Sequence, residues 1–299
     1  MHYMQTESSE SALVSCEWLQ RHLDSENQVV LDATFFLPRQ QRDAQAEYRQ
    51  CHLPGAGFFD IDQIADPANP LPHSLPRAGQ FAAAAGKLGI GNAARVILYD
   101  NNHFFAAARA WWMFRVFGHD QVWILDGGLK RWLQLSFSVQ AGESAPEEKR
   151  FRAQYRPALV FDLPQMQRIL LSGDRQVLDA RSPDSFLGRR PLADPGLEPG
   201  HIPGSINIPY AGLTDGERDT LLPRQRLRAM FDAAGVDLTR PLVTSCGSGV
   251  SAAVLSLAIH ELGVTDAPLY DGSWAEWGRA PDTPKVRGWG LRNPGKDAP

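Results

Sequence analysis

Thr244-Ser245-Cys246-Gly247-Ser248-Gly249-Val250-Ser251 is the stretch of the chain best suited to chemistry. It joins a short apolar run, Pro241 to Ser245, to a run with helical spacing, Ser251 to Leu262. Its two glycines let the backbone turn tightly, so that successive N–H groups can face one centre. A helix starting near Ser251 adds the positive end of its dipole. A free thiol of pKa ~8.5 is only a few per cent ionised at neutral pH, whereas one at ~6.5 is mostly thiolate. Cys246 is therefore a candidate nucleophile, with a buried core cysteine as the plainer alternative. Cys16 and Cys51 lack such surroundings and read as core positions.

The elements that must position this loop are written twice. Gln28-Val29-Val30-Leu31-Asp32-Ala33 is echoed by Gln176-Val177-Leu178-Asp179-Ala180, and His52-Leu53-Pro54-Gly55 by His201-Ile202-Pro203-Gly204. Leu125-Asp126-Gly127-Gly128 with Trp132 matches Tyr270-Asp271-Gly272-Ser273 with Trp277. The landmarks Asp32, His52 and Asp126 recur 147, 149 and 145 residues later. That period means duplicated domains, not a solenoid of ~20–50-residue units. Short apolar strands alternate with helical segments in both halves: Arg95 to Tyr99 then Phe104 to Phe117, and Val177 to Asp179, Pro223 to Ala234, Pro241 to Ser245, Ser251 to Leu262. This predicts an α/β chain of two domains, each a parallel sheet with helices on both faces. The expected division is residues 10–140, a linker over 141–155, residues 156–286 and a tail over 287–299. Within the linker Ala141 to Arg150 is charged and proline-interrupted, and Met1–Ser9 and Arg287–Pro299 look frayed. Where the second copy has Cys246, the first has Asp100, with no thiol and no glycine loop. The first copy is thus expected to keep the scaffold without the chemistry.

Composition narrows the function. The chain has 299 residues with 30 basic and 34 acidic side chains, a formal net charge of −4. Such a balance argues against a nucleic-acid partner. No stretch approaches the ~20 apolar residues of a membrane span, and the start has neither a secretory nor a transit-peptide pattern. Three scattered cysteines are too few for a disulfide framework or a zinc site. No metal or cofactor is expected, and the expected compartment is the reducing cytoplasm.

At these residues the sequence resembles the tandem-domain rhodanese family of sulfurtransferases, and within it the 3-mercaptopyruvate sulfurtransferases. The resemblance runs from Leu13-Val14-Ser15 to Trp277, through Phe58-Phe59-Asp60-Ile61-Asp62, Trp111 to His119, Leu125 to Gly128 and Gly200 to Gly204. Cys246 to Ser251 resembles that family's active loop, with Ser251 where threonine is more usual. The resemblance implies two rhodanese-like domains with catalysis in the second. It implies a cysteine persulfide formed from a small-molecule sulfur donor and discharged to cyanide, a small thiol or a thioredoxin-like protein. The loop amides of Gly247, Gly249, Val250 and Ser251 would hold the anionic sulfur. Ser248, His73 and Asp62 would form a proton relay, the last two reaching the site from the first copy; without the resemblance they read as polar surface-loop residues. The family's two carboxylate-binding arginines are replaced here by Ser185 and Asp194. Arg189, Arg190 and Arg181 are the remaining candidates to bind substrate, by the bidentate fork that suits a carboxylate, with solvated charge as the alternative.

Gly247 and Ser248 are uncharged where thiosulfate-preferring rhodaneses have Arg and Lys, so the neutral loop favours 3-mercaptopyruvate. The residue six beyond Cys246 is Ala252, not the arginine a phosphatase loop needs. Two alternatives stay open: a thiosulfate sulfurtransferase, and a non-catalytic persulfide relay protein. Trp111-Trp112-Met113-Phe114 reads as packing at the core and between domains, and His201, repeated as His52, as a structural turn residue.

Overall fold

The computed structural model describes residues 11–192 and 194–289. Two five-stranded sheets, all parallel, carry the chain. The first comprises β1 (Leu13–Val14), β2 (Gln28–Asp32), β3 (Gly57–Phe58), β4 (Arg95–Tyr99) and β5 (Val122–Leu125) in the order β1-β5-β4-β2-β3. The second comprises β6 (Val160–Phe161), β7 (Gln176–Asp179), β8 (Ile206–Asn207), β9 (Leu242–Ser245) and β10 (Leu269–Tyr270) in the equivalent order β6-β10-β9-β7-β8. The central strands β4 and β9 are almost wholly buried. The apolar run Val96–Tyr99 of β4 is what a strand covered on both faces requires, and in β9 the buried Thr244 hydroxyl is paired with Ser256.

Helices α1 (Cys16–His22), α2 (Ala44–Gln50), α3 (Ala78–Lys87), α4 (Ala107–Val116) and α5 (Gly128–Gln134) belong to the first half. Helices α6 (Leu163–Ser172), α7 (Pro183–Phe186), α8 (Arg224–Ala233), α9 (Ala252–Glu261) and α10 (Ser273–Trp277) belong to the second. Helices α4 and α9 pack against each other between the sheets, and both contribute to one continuous apolar core shared by the two halves. Each is apolar nearly all round, the pattern of a helix with no solvent face. The Trp111–Phe114 run is buried there, as its composition predicts. Arg109 on α4 and Glu261 on α9 are the buried charged exceptions, 1% and 5% exposed.

Three segments differ from expectation. Helix α4 starts at Ala107 rather than Phe104, because the Asp100 carboxylate accepts N–H groups from Phe104, Ala106 and Ala107 and keeps the preceding residues in a tight turn. His103 and Phe104 consequently have φ of +56° and +62°, a left-handed region unusual for such residues. The charged stretch 141–150 is largely exposed, but from Lys149 the chain docks on the first half. Lys149 N–H bonds Gly86 O, Gln154 N–H bonds Phe117 O, and Phe151 is buried against Phe81 and Phe114. The tail, read as frayed, also docks over 287–289: Gly288 N–H bonds Leu187 O and Arg287 Nε reaches Pro199 O. The other expected frayed residues, 1–9 and 290–299, lie outside the described residues. No helix among the described residues is long and apolar enough to cross a membrane.

Candidate active site

Cys246 follows β9 directly and is separated from α9 by the five residues 247–251, at the carboxyl edge where a parallel sheet opens its crevice. The residue is 1% exposed, beneath the half-buried Gly247 and Ser248. Helix α10 clamps the loop from one side: Trp274 N–H bonds Cys246 O at 2.9 Å and Ala275 N–H bonds Gly247 O at 2.8 Å. Ser273, fully buried at φ +48°, accepts the Cys246 N–H at 3.1 Å and donates to Tyr270 O at 2.8 Å. Its hydroxyl also stands 3.9 Å from the Cys246 sulfur. Among the described residues no N–H of Gly247, Ser248, Gly249, Val250 or Ser251 bonds that sulfur. The amide cradle expected from the glycines is therefore not closed on the thiol. The loop is tied outward by its carbonyls, to α10 and to Arg109.

The other side comes from the first half. His73 lies in the loop before α3 at φ +56°, largely buried, with its Nδ1 2.7 Å from Asp62 Oδ1. The two groups are in close contact, but the ring is turned off the hydrogen-bond line. The expected His73–Asp62 pair thus exists, but Ser248 makes no hydrogen bond to His73 among the described residues. What joins His73 to the loop is Arg109. Its Nη2 donates to His73 O at 2.7 Å and to Asp271 Oδ1 at 2.6 Å, and its Nη1 to Gly249 O at 3.4 Å. Asp271 spends its second oxygen on the Leu75 N–H at 2.8 Å. Gly249, at φ +78°, is required twice over, since a Cβ there would sit 2.8 Å from Asp271 O and 3.1 Å from Arg109 Nη1. The residues of the first copy therefore meet the Cys246 loop at the seam between the halves.

The arginines do not converge on Cys246. Arg181 is buried, forked onto Asp179 at 2.6–3.0 Å, bonded to Gly200 O and stacked over Trp274. Those partners occupy the guanidinium, and it does not serve as a free clamp. Arg189 and Arg190 are exposed on the turn after α7, their N–H groups bonded to Asp184 O. Asp194 pairs with Arg279, which also donates to Ala275 O. His201 is structural, as its duplication implies, bonding Phe186 O and stacking on that ring. A cavity of about 930 Å³ lies away from the loop, toward the far ends of α4 and α9, lined in part by Trp111, Arg115, His260 and Glu261.

The sequence pattern did not single out Ser273, Arg109, Asp271 or Tyr210 for the site. Tyr210 lies on the turn after β8, where burial pushes its phenol up, Arg39 pulls it down, and Asp100 and Cys246 push it further up. The readable signal for Arg109 was one cation inside Ala-Ala-Arg-Ala-Trp-Trp. Burial pushes the Cys16 thiol up to about 12, with Glu17 and Asp126 adding to the shift, and burial raises Cys51 as well. Neither is a nucleophile at neutral pH.

Residues 15–135 and 163–280 both match the Rhodanese-like domain family. The chain is similar to human 3-mercaptopyruvate sulfurtransferase, 43% identical over 272 residues, 89% of this chain and 91% of that protein. It is 41% identical to cattle thiosulfate sulfurtransferase over 273 residues, again 89% and 91% of the two chains. Among solved structures it resembles a 3-mercaptopyruvate sulfotransferase from Escherichia coli, with a TM-score of 0.82, 37% identity, and coverage of 89% of this chain and all of that one.

Proposed function

The chain belongs to the rhodanese-like family and is a sulfurtransferase, and from that premise we propose that it takes sulfur from 3-mercaptopyruvate through a persulfide on Cys246. Cys246 attacks as the thiolate. Its sulfur bonds the donor's thiol sulfur, and the donor's C–S bond breaks with its electron pair passing to the enolate of pyruvate. The donor's thiol proton moves to the enolate carbon through the relay of Ser248, His73 and Asp62, leaving pyruvate and the anionic persulfide. An acceptor then attacks the outer sulfur: cyanide leaves as thiocyanate, whereas a dithiol such as a thioredoxin-like protein closes a disulfide and releases hydrosulfide. Either way Cys246 returns as thiolate. The outer sulfur extends one S–S bond, ~2 Å, beyond Sγ, and the loop amides of Gly247 to Ser251 are assigned to it rather than to the thiol.

The observation that carries this reading is the joining of two halves at one thiol: Cys246 on a loop with no charged side chain, and the His73–Asp62 pair held against that loop by the other domain. The first domain, residues 10–140, supplies the relay and no nucleophile; residues 156–286 supply the nucleophile; residues 141–155 connect them. Arg189 and Arg190 are assigned to the substrate carboxylate, since both are exposed cations on one turn and Arg189 has only a long, solvent-exposed contact of 4.0 Å to Asp184. The likeness to the cattle enzyme favours thiosulfate as the second reading. Free thiols at Cys16, Cys51 and Cys246 suit the reducing cytoplasm, which cell fractionation checks.

Purified protein given each donor with cyanide decides the matter. Pyruvate and thiocyanate from 3-mercaptopyruvate, both lost in Cys246→Ser, are expected, with one added sulfur on Cys246 by intact mass. Thiocyanate from thiosulfate alone would establish the second reading, and inertness to both donors would leave only a persulfide relay. Replacing Arg189 and Arg190 by alanine is expected to raise KM about tenfold, the worth of one charge-assisted contact.

A further inference from the structure

We infer that Arg109, a residue of the domain without a nucleophile, is the positioning residue that holds His73 in register with the Cys246 loop. This rests on the relay assigned above and extends it to a residue that touches neither substrate nor sulfur. The guanidinium is buried and planar, stacked 4.5 Å over Trp112, so its donors point in fixed directions. They reach three places at once: the backbone of His73, the carboxylate of Asp271 and the backbone of Gly249. Asp271 completes a closed ring by accepting the N–H of Leu75, two residues beyond His73. The left-handed backbone of His73 is thereby fixed on both sides, with its Nδ1 2.7 Å from Asp62 Oδ1.

The duplicated seam provides the control. On the opposite side, Asp126 accepts the N–H of Leu221 at 2.8 Å as Asp271 accepts that of Leu75, and Asp219, 146 residues after His73, has the same left-handed φ of +57°. That seam closes without a buried cation: 146 residues after Arg109 the sequence has Leu255, and the side chains that reach Asp219 from the first half, Lys130 at 3.0 Å and His103 at 3.1 Å, are 37% and 45% exposed. Docking the two halves does not need a buried cation. An ion pair taken out of water is a poor way to gain stability, and this one is found only where the thiol is. Its contacts are those that align the two parts of the relay.

The test is a double-mutant cycle of Arg109→Met with His73→Asn, read on pyruvate release at saturating 3-mercaptopyruvate, on KM and on the pH profile of kcat. A misplacement of about 1 Å is worth ~10²-fold in rate. Arg109→Met is therefore expected to lower kcat ~10- to 100-fold with KM within about threefold, to flatten the pH profile as His73→Asn does, and to add nothing in the His73→Asn background. Arg109→Lys keeps a charge for Asp271 without the fork and is expected to fold, with an intermediate kcat, should the methionine variant not fold. Wild-type kcat and pH profile in Arg109→Lys, or multiplicative losses in the double mutant, would overturn the inference. His73→Asn at the wild-type rate would instead sink the relay itself, and persistence of turnover in Cys246→Ser would sink the nucleophile, so the three failures are told apart.

Discussion

The turns after β4 and β9 stand at the same place in two copies of one sheet, and they treat the side chain that follows the strand in opposite ways. After β4, the Asp100 carboxylate collects N–H groups from Asn102, Phe104, Ala106 and Ala107 at 3.0–3.1 Å. Burial pushes that carboxyl up while the four N–H groups pull it down. The loop is wound on its own side chain and closed. After β9, Cys246 collects no loop N–H among the described residues; its sulfur has the Ser273 hydroxyl at 3.9 Å, and the loop is held from outside by α10 and Arg109. A carboxylate with two oxygens saturates its surroundings, whereas a sulfur with long, weak bonds leaves donors to spare. One scaffold thus gives a finished turn in one copy and a loop with unspent amides in the other.

The largest effect that would break this comparison concerns the nucleophile. Cys246→Ser should lower sulfur transfer by at least ~10³-fold, and Asp100→Cys should not create a second active thiol, since the first loop lacks both the glycines and a facing histidine; persulfide counting by intact mass checks both. Next comes the carboxylate. Asp100→Ala strands three buried N–H groups and the half-buried one of Asn102 and should cost about 3 kcal/mol in urea unfolding, while Cys246→Ala should cost less than about 1 kcal/mol, so equal costs would show that the two turns do not differ in this way.

The paired seam aspartates sharpen the contrast further. Asp271 has Arg109; Asp126 has no such cation, and burial pushes it up to about 6, against the N–H of Leu221 and with the charge of Glu261 adding. A carboxyl whose pKa is higher folded than unfolded favours the folded state at low pH, and that contribution is lost as pH rises from ~4 through ~6. Asp126→Asn keeps an acceptor for Leu221 and removes the charge. Its gain over the parent in urea melts should be near zero at pH 4 and reach up to ~3 kcal/mol at pH 8; a constant difference across that range would contradict the assignment. Smallest is Ser273→Ala, which removes the acceptor of the Cys246 N–H and should lower kcat ~3- to 10-fold, about 1 kcal/mol, with KM unchanged in the pyruvate assay.

Much of the scaffold was legible because its signals are local. The apolar runs that became β4 and β9 need only their own residues to read as buried strands, and the helix after Cys246 follows from the spacing of Val254, Leu255, Ala258 and Ile259. The start of α4 was missed by three residues because a side chain at Asp100, not propensity, sets it. Arg181 was a candidate for substrate because nothing in its neighbours along the chain shows that Asp179 and Gly200 O already hold it. Ser273 and Arg109 were missed for the related reason that their importance lies in partners 27 and 140 residues away.

Residue types, their order and the duplication by themselves determined the two parallel sheets and the thiol at the carboxyl edge of the second, since strand and helix periodicities and a glycine-rich turn are properties of short segments. Only the tertiary structure decided that first-half residues meet the loop after that thiol, that the buried Arg109 bonds the backbones of both His73 and Gly249, and that no loop N–H bonds the sulfur among the described residues. Those depend on how two cores meet along α4 and α9, where contacts join residues more than a hundred positions apart and no local pattern records them.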